Sequence, residues 1–138
     1  LDVDIDGGAG RAVFDEGQLR QVLWNLLRNA MEVSGAGRRV RVRVDRERDR
    51  VRVAISDTGP GISPEDRARI FDVFHSKRSG GTGIGLAVVK RIVDEHRPYG
   101  ASLAVESTVG QGSVFTLEMA ETAPHRPENH RGSLKNFP

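Results

Sequence analysis

An α/β fold is predicted for this chain of 138 residues, and three observations predict it. Two segments place apolar residues at i, i+3, i+4 and i+7, the signature of an amphipathic helix. Five others alternate apolar and polar residues, as a strand with one buried face does. Glycine- and proline-rich stretches separate them, where turns are needed. The length suits one domain around one core.

The elements follow in order. Leu1 to Asp6 alternates Val3 and Ile5 with aspartates and predicts a short strand; Ala12-Val13-Phe14 predicts a brief return strand after a glycine loop. Asp15 suits a helix cap, with Gln18 three residues on as its reciprocal partner. Leu19, Val22, Leu23, Leu26, Leu27, Ala30 and Met31 then form one helical stripe, ending near Ser34-Gly35. Val40, Val42 and Val44 alternate with Arg41, Arg43 and Asp45, and Val51, Val53 and Ile55 with Arg52, Ala54 and Ser56. This pair predicts an antiparallel hairpin with an arginine-rich face in water. Ser63-Pro64-Glu65-Asp66 opens a short helix with proline in its first turn, carrying Ile70, Phe71 and Phe74. His75 to Gly81 is basic and glycine-rich and is expected to be mobile. A second long helix is expected from Thr82 to about His96-Arg97-Pro98, where proline disfavours continuation. Ser102 to Glu106 and Ser113 to Met119 predict the last two strands. The domain is drawn as 1–119, with 120–138 expected to be a disordered tail.

Composition narrows the function. Charged residues make up 29% and the net charge is only +2, so the arginines are balanced by carboxylates. With one Trp and one Tyr for stacking, no nucleic-acid partner is expected. There is no cysteine, which removes disulfides and zinc–thiolate sites and accords with the cytoplasm. No apolar run is long enough to cross a bilayer. The first residue is Leu, which suggests a piece of a longer protein.

Three segments carry the chemistry. Asn25 and Asn29 lie four apart and share the helix face opposite the leucines. Asparagine is a poor helix former, so the pair reads either as a solvated face or as a site where the Asn29 oxygen ligates Mg²⁺. In Asp57-Thr58-Gly59-Pro60-Gly61-Ile62 a carboxylate ends a strand before a glycine turn. It reads as an ordinary turn, or as an acceptor for the exocyclic amine of adenine, with Gly59 and Gly61 letting backbone approach the base. Gly80-Gly81-Thr82-Gly83-Ile84-Gly85-Leu86 opens into a helix, whose first amides suit a phosphate. It lacks the preceding strand of a Rossmann turn and the Lys-Ser/Thr of a Walker loop. Lys77 and Arg78 stand before it as a solvated loop or as a lid over the β- and γ-phosphates. His75 and His96 read as surface or packing residues.

In this order, and with Ile70-Phe71-Asp72-Val73-Phe74 and Gly110-Gln111-Gly112-Ser113-Val114-Phe115, the segments resemble the catalytic ATP-binding domain of bacterial sensor histidine kinases. They correspond to its N, G1, F and G2 boxes and its closing glycine motif, over residues 10 to 119. The short lid resembles the nitrogen-regulation subgroup. The resemblance implies the Bergerat fold, a two-layer α/β sandwich. Its sheet is mixed and mostly antiparallel, with helices on one face. ATP and Mg²⁺ are the implied ligands. Asn29 resembles the Mg²⁺ ligand and Asp57 the adenine reader. Gly59 and Gly61 resemble the base-pocket glycines, and Gly83 and Gly85 the phosphate glycines. Ser113 is placed beside the adenine contact. Glu32, Val33, Ile62, Arg78, Gly81, Thr82, Ile84 and Leu86 complete the implied nucleotide set, and Asn25, Asn29 and Lys77 the catalytic one.

Asn25 stands where related ATPases carry a water-activating glutamate, so slow hydrolysis and γ-phosphoryl transfer to histidine are implied. Val33 stands where an aromatic is common. No phosphoacceptor histidine motif or dimerisation hairpin is in the chain. The implied partners are therefore an upstream histidine-bearing domain and, through it, a response regulator. The piece itself is expected to be monomeric and unable to autophosphorylate. The alternatives are an anti-sigma-type serine kinase or partner-switching module, and a scaffold with a degenerate pocket.

Overall fold

The computed structural model describes residues 2–5, 11–37, 39–73 and 84–122. The elements are β1 (Asp2–Ile5), α1 (Glu16–Ser34), β2 (Val40–Glu47), β3 (Arg50–Asp57), α2 (Pro64–Arg67), α3 (Gly85–His96), a 3₁₀ turn (Arg97–Tyr99), β4 (Ser102–Thr108) and β5 (Gly112–Ala120). The five strands form one sheet in the order β1-β2-β3-β5-β4. β1 runs parallel to β2, and the other neighbours are antiparallel. The sheet is thus mixed and mostly antiparallel, as expected.

The period-2 alternation decides what faces the helices. On β3 the inward row is Val51, Val53, Ile55 and Asp57; on β5 it is Ser113, Phe115, Leu117 and Met119. These rows meet Val22, Leu26 and Ala30 of α1 and Val89, Ile92 and Val93 of α3 in one core. Each fully buried side chain of that size contributes about 1.5–3 kcal/mol. Asp57 and Ser113 end their apolar rows as register partners. The same alternation that builds the core therefore carries two polar groups under the helices.

The outer face is ion-paired across the strands. Asp45 meets Arg52 at 2.8 Å, Glu47 meets Arg52 at 2.9 Å and Glu118 meets Arg50 at 3.2 Å. Carboxylates match the arginines in register, which agrees with a solvated face.

Several boundaries differ from the sequence reading. Ala12 to Phe14 is not a strand; Val13 makes one backbone bond, to the Ala120 carbonyl at 2.8 Å. The hairpin strands run further, to a turn at Arg48-Asp49 with Arg48 at φ 57°. The Asp15 side chain caps the Gln18 amide at 2.8 Å, as expected, but Gln18 does not return the bond. The Asp15 amide donates to His96 Nε2 instead (3.1 Å), and the Gln18 amide group reaches Glu95 (3.4 Å). Tertiary contact with α3 has replaced the local reciprocal bond. α2 ends at Arg67, so Ile70 and Phe71 lie beyond it in turns. α3 starts at Gly85 rather than Thr82. β5 includes Ala120, which is buried, so ordered chain passes the drawn domain limit. Phe74, the His75 to Gly81 segment, and the tail from 123 on lie outside the described residues.

His96 is a packing residue. Its Nδ1–H donates to the Ile92 carbonyl at 2.8 Å, and its ring stacks on Phe14 at 3.8 Å. Two residues before it, Lys90 and Arg97 hydrogen-bond Asp94 at 2.6 and 2.8 Å and hold its carboxyl below the ordinary value. A carboxyl lowered on folding adds stability above its unfolded value, and that stability is lost as pH falls through the lowered one. These side chains are well exposed, so the effect is small. Asp94→Asn is expected to cost about 0.2–1 kcal/mol at pH 7. Thermal melts in acid below the lowered carboxyl value should show no difference from wild type.

Candidate functional site

α1 lies over β2 and β3, and α3 over β4. The two helices are antiparallel neighbours. Gln18, at one end of α1, meets Glu95, and Asn25, two turns on, meets Gly85. The Asn25 amide donates to the Gly85 carbonyl at 3.3 Å. Asn29 stands one turn further on the same face. Both asparagines are half-buried, which corrects the expectation of an exposed face. Asn25 faces the start of α3.

That start has no side-chain cap. Ile84 occupies the N-cap position and makes no capping bond. The first amides of a helix lack intrahelical partners and carry the positive end of the helix dipole. Leu86 packs on the core, while Ile84 is 40% exposed. Gly81, Thr82, Gly83, Lys77 and Arg78 precede this end and lie outside the described residues.

Asp57 is 6% exposed, and its Oδ1 accepts the Gly59 amide at 2.9 Å. That bond folds the chain back into a tight turn of the Asx kind. Val33, at the end of α1, closes over the turn. A Cβ on Gly59 would sit 2.8 Å from Asp57 Oδ1 and 3.0 Å from the Val33 carbonyl. Gly61 has φ +73°, and a Cβ there would overlap the Thr108 backbone. The protein's own packing therefore demands both glycines, a reason absent from the sequence reading. Glu32 is exposed and paired with Arg28 at 3.1 Å. Gly85 differs from the other two. A Cβ there would meet Asn25 Cγ at 3.9 Å, an ordinary contact.

The loop after Asp57 is stitched to the β4–β5 turn. Gly110 donates to the Pro60 carbonyl at 2.7 Å, and Ile62 donates to Ser107 Oγ at 2.7 Å. Ser107 Oγ lies 2.8 Å from Ser113 Oγ, and Arg67 donates to the Ser107 carbonyl at 2.7 Å. Ser107 and Arg67 were not singled out from the sequence. Ser107 stands at an inward position of β4, two residues after Val105, and nothing in its local pattern separates it from core-lining serine. Val33, Gly59, Gly61, Ile62 and Ser113 gather round Asp57 and the β4–β5 turn, while Asn25 and Gly85 meet midway along α1.

The arrangement fits a purine nucleotide with a hard cation. Asp57 offers carboxylate oxygen under a glycine turn. Asn29 offers amide oxygen of the kind that Mg²⁺ takes beside phosphates. The start of α3 offers amides. Among the described residues no group of three His, Cys, Asp or Glu could hold an ion.

Residues 14–123 match the family described as histidine kinase-, DNA gyrase B- and HSP90-like ATPases. The sensor histidine kinase RppB of Synechocystis sp. is 36% identical over 86% of this chain and 27% of its own. The circadian input-output histidine kinase CikA of Synechococcus elongatus is 38% identical over 100% of this chain and 19% of its own. The chain thus spans about a quarter or less of the length of these relatives. Among solved structures, the nucleotide-free catalytic domain of histidine kinase ThkA superposes with a TM-score of 0.75 at 29% identity, covering 87% of this chain and 77% of that one. Full-length ShkA in complex with AMPPNP superposes at 0.74 with 35% identity, covering 89% and 26%.

Proposed function

The chain belongs to the histidine kinase-, DNA gyrase B- and HSP90-like ATPase family, and on that premise we propose that it binds Mg·ATP and presents the γ-phosphoryl group to a histidine on a separate helical domain. The observation that carries the reading is convergence. Along α1, Asn25 meets the uncapped start of α3, and Val33, two turns on, packs on the turn that holds the buried Asp57 carboxylate.

The roles follow from the chemistry of each group. Asp57 accepts the 6-amine of adenine, with Ser113 beside it. Asn29 supplies an amide oxygen to Mg²⁺, which when bound neutralises phosphate charge. Asn25 ties α1 to α3 through the Gly85 carbonyl and sets the spacing between cation and phosphates. The α3 amides, with Gly83 and Gly85, receive the phosphates. Lys77 and Arg78 are assigned to the outer phosphates, and Thr82, Ile84 and Leu86 to the wall of the site. Catalysis of this kind is positioning and charge neutralisation. Asn25 has no basic form, so it cannot activate water, and transfer to an acceptor is favoured over hydrolysis. The partners proposed are ATP and ADP, an upstream histidine-bearing dimerisation domain and, through that domain, a response regulator. The likeness to ShkA, solved with AMPPNP, supports the nucleotide. No helix among the described residues is long and apolar enough to cross a membrane, and a cytoplasmic site of action is proposed.

Incubation with Mg·[γ-³²P]ATP and a separately supplied histidine-bearing helical hairpin tests the reading. Label should appear on the hairpin and not on this chain alone. Asn29→Ala should remove the Mg²⁺-dependent part of ATP affinity and reduce transfer at least about 100-fold, the range seen when a group stabilising transition-state charge is lost. Transfer that survives Asn29→Ala undiminished would reject the assignment.

Gly85 gives a second test. Among the described residues nothing crowds a methyl there, so a need for glycine at this position would point to a ligand. Gly85→Ala is expected to leave stability unchanged or raise it by up to about 1 kcal/mol, while nucleotide affinity falls. Unchanged affinity by calorimetric titration would remove Gly85 from the phosphate site.

A further inference from the structure

We propose that Ser107 sets the purine selectivity of the site by holding the Ser113 hydroxyl proton away from the base, an inference that rests on the nucleotide reading above. Ser107 Oγ lies within hydrogen-bonding distance of three groups: the Ile62 amide at 2.7 Å, the Gly112 carbonyl at 3.0 Å and Ser113 Oγ at 2.8 Å. A serine hydroxyl has one proton and two lone pairs. The Ile62 N–H can only donate, so it takes one lone pair. The Gly112 carbonyl can only accept, so it takes the proton. One lone pair remains, and Ser113 can satisfy it only by donating.

The Ser113 proton is therefore directed at Ser107. What Ser113 has left is acceptor capacity alone. It is the register partner of Asp57, on the same inward face, and both residues are 6% exposed. Asp57 is an acceptor as well while ionised. The base thus meets two acceptors side by side. Adenine carries a 6-amine with two N–H groups, which suits that pair. Guanine carries a 6-carbonyl, whose oxygen would face oxygen. A polar group left against a like partner in a buried site costs more than a missing contact.

Ser107 is held in place by its own backbone. The Arg67 guanidinium donates to its carbonyl, and Gly110 ties the following turn to Pro60. Without the Ser107 hydroxyl, Ser113 is free to rotate and donate to a guanine carbonyl. Ser107 touches no part of the base in this account and is a positioning residue.

The test is the ratio of Mg·GTP to Mg·ATP dissociation constants, measured by calorimetry on wild type, Ser107→Ala and Ser107→Thr. A loss of folded fraction scales both constants alike, so the ratio isolates selectivity from stability. The ratio should fall about threefold to tenfold in Ser107→Ala, as expected for one neutral hydrogen bond, and stay near wild type in Ser107→Thr, which keeps the hydroxyl. In a Ser113→Ala background, Ser107→Ala should no longer change the ratio. If Ser107→Ala does not fold, Ser107→Cys fills similar space with a weak acceptor and should show the same fall. A wild-type ratio in the alanine or cysteine variant, or an undiminished effect without Ser113, overturns the inference while leaving the nucleotide site intact. Wild type that binds neither nucleotide overturns the site reading itself, and the inference with it.

Discussion

Asp57→Asn is expected to weaken Mg·ATP binding by about 10- to 100-fold, because hydrogen bonds to charged groups contribute about 1.5–3 kcal/mol. The direction follows from the turn. Asp57 Oδ1 already accepts the Gly59 amide at 2.9 Å. An asparagine keeps that bond with its single oxygen, and its NH₂ group then points where the second carboxylate oxygen was. A donor there meets the donor of the adenine amine. The same donor suits the 6-carbonyl of guanine, so preference for ATP over GTP should narrow or invert. The Gly59 bond survives the change, and any effect on the fold itself is read from the melting temperature without nucleotide. Calorimetric titration with both nucleotides, beside a melt of the free protein, separates the two effects. Full ATP affinity in the asparagine variant would mean that Asp57 does not read the base.

Gly112→Ala should give the largest loss of stability among substitutions in the site. Gly112 has φ +109°, and an added Cβ would overlap the Asp57 carbonyl oxygen, with Thr58 Cα at 3.0 Å. Backbone forced into a conformation that L residues avoid costs about 1–3 kcal/mol. Overpacking against main chain, which cannot swing aside as a side chain can, adds about 1–3 kcal/mol. A fall of roughly 10 °C or more in melting temperature follows for a domain of this size. Nucleotide affinity should fall with it, since the group displaced is Asp57 itself. Gly110→Ala is the control. Gly110 has φ +83°, but nothing lies within 4 Å of an added Cβ, so only the conformational part of the cost applies. Equal melting temperatures for the two variants would show that contact between Gly112 and Asp57 is not what demands glycine.

Much of this was legible in the sequence because it depends on local periodicity. The 3.6-residue stripe located α1 and its end at Gly35. The two-residue alternation located β2 to β5 and set Asp57 at the end of an apolar row. Caps at Asp15 and Ser63 followed from side chains that reach amides two or three residues on. The capping box failed to close for one reason. Where a group had both a local and a distant partner available, the distant one won. Gln18 meets Glu95 and the Asp15 amide meets His96, so the capping box is half-formed. The segment after His96 resolves into a 3₁₀ turn closed by Gly100 at φ 90°, with Ala101 buried before β4 begins.

By itself the sequence determined which residues could form helices and strands, and which polar types stood beside glycine, since both are properties of neighbours along the chain. The tertiary structure decided which of those residues meet. It turned Asn25 toward α3 and fitted Gly59 and Gly61 against Val33 and Thr108. It also joined Ser107 to Ser113 and Ile62 across 6 and 45 residues. Such meetings depend on the strand order β3-β5-β4 and on the antiparallel pairing of α1 with α3. No window of neighbouring residues contains either, because each is set by how the apolar faces bury one another.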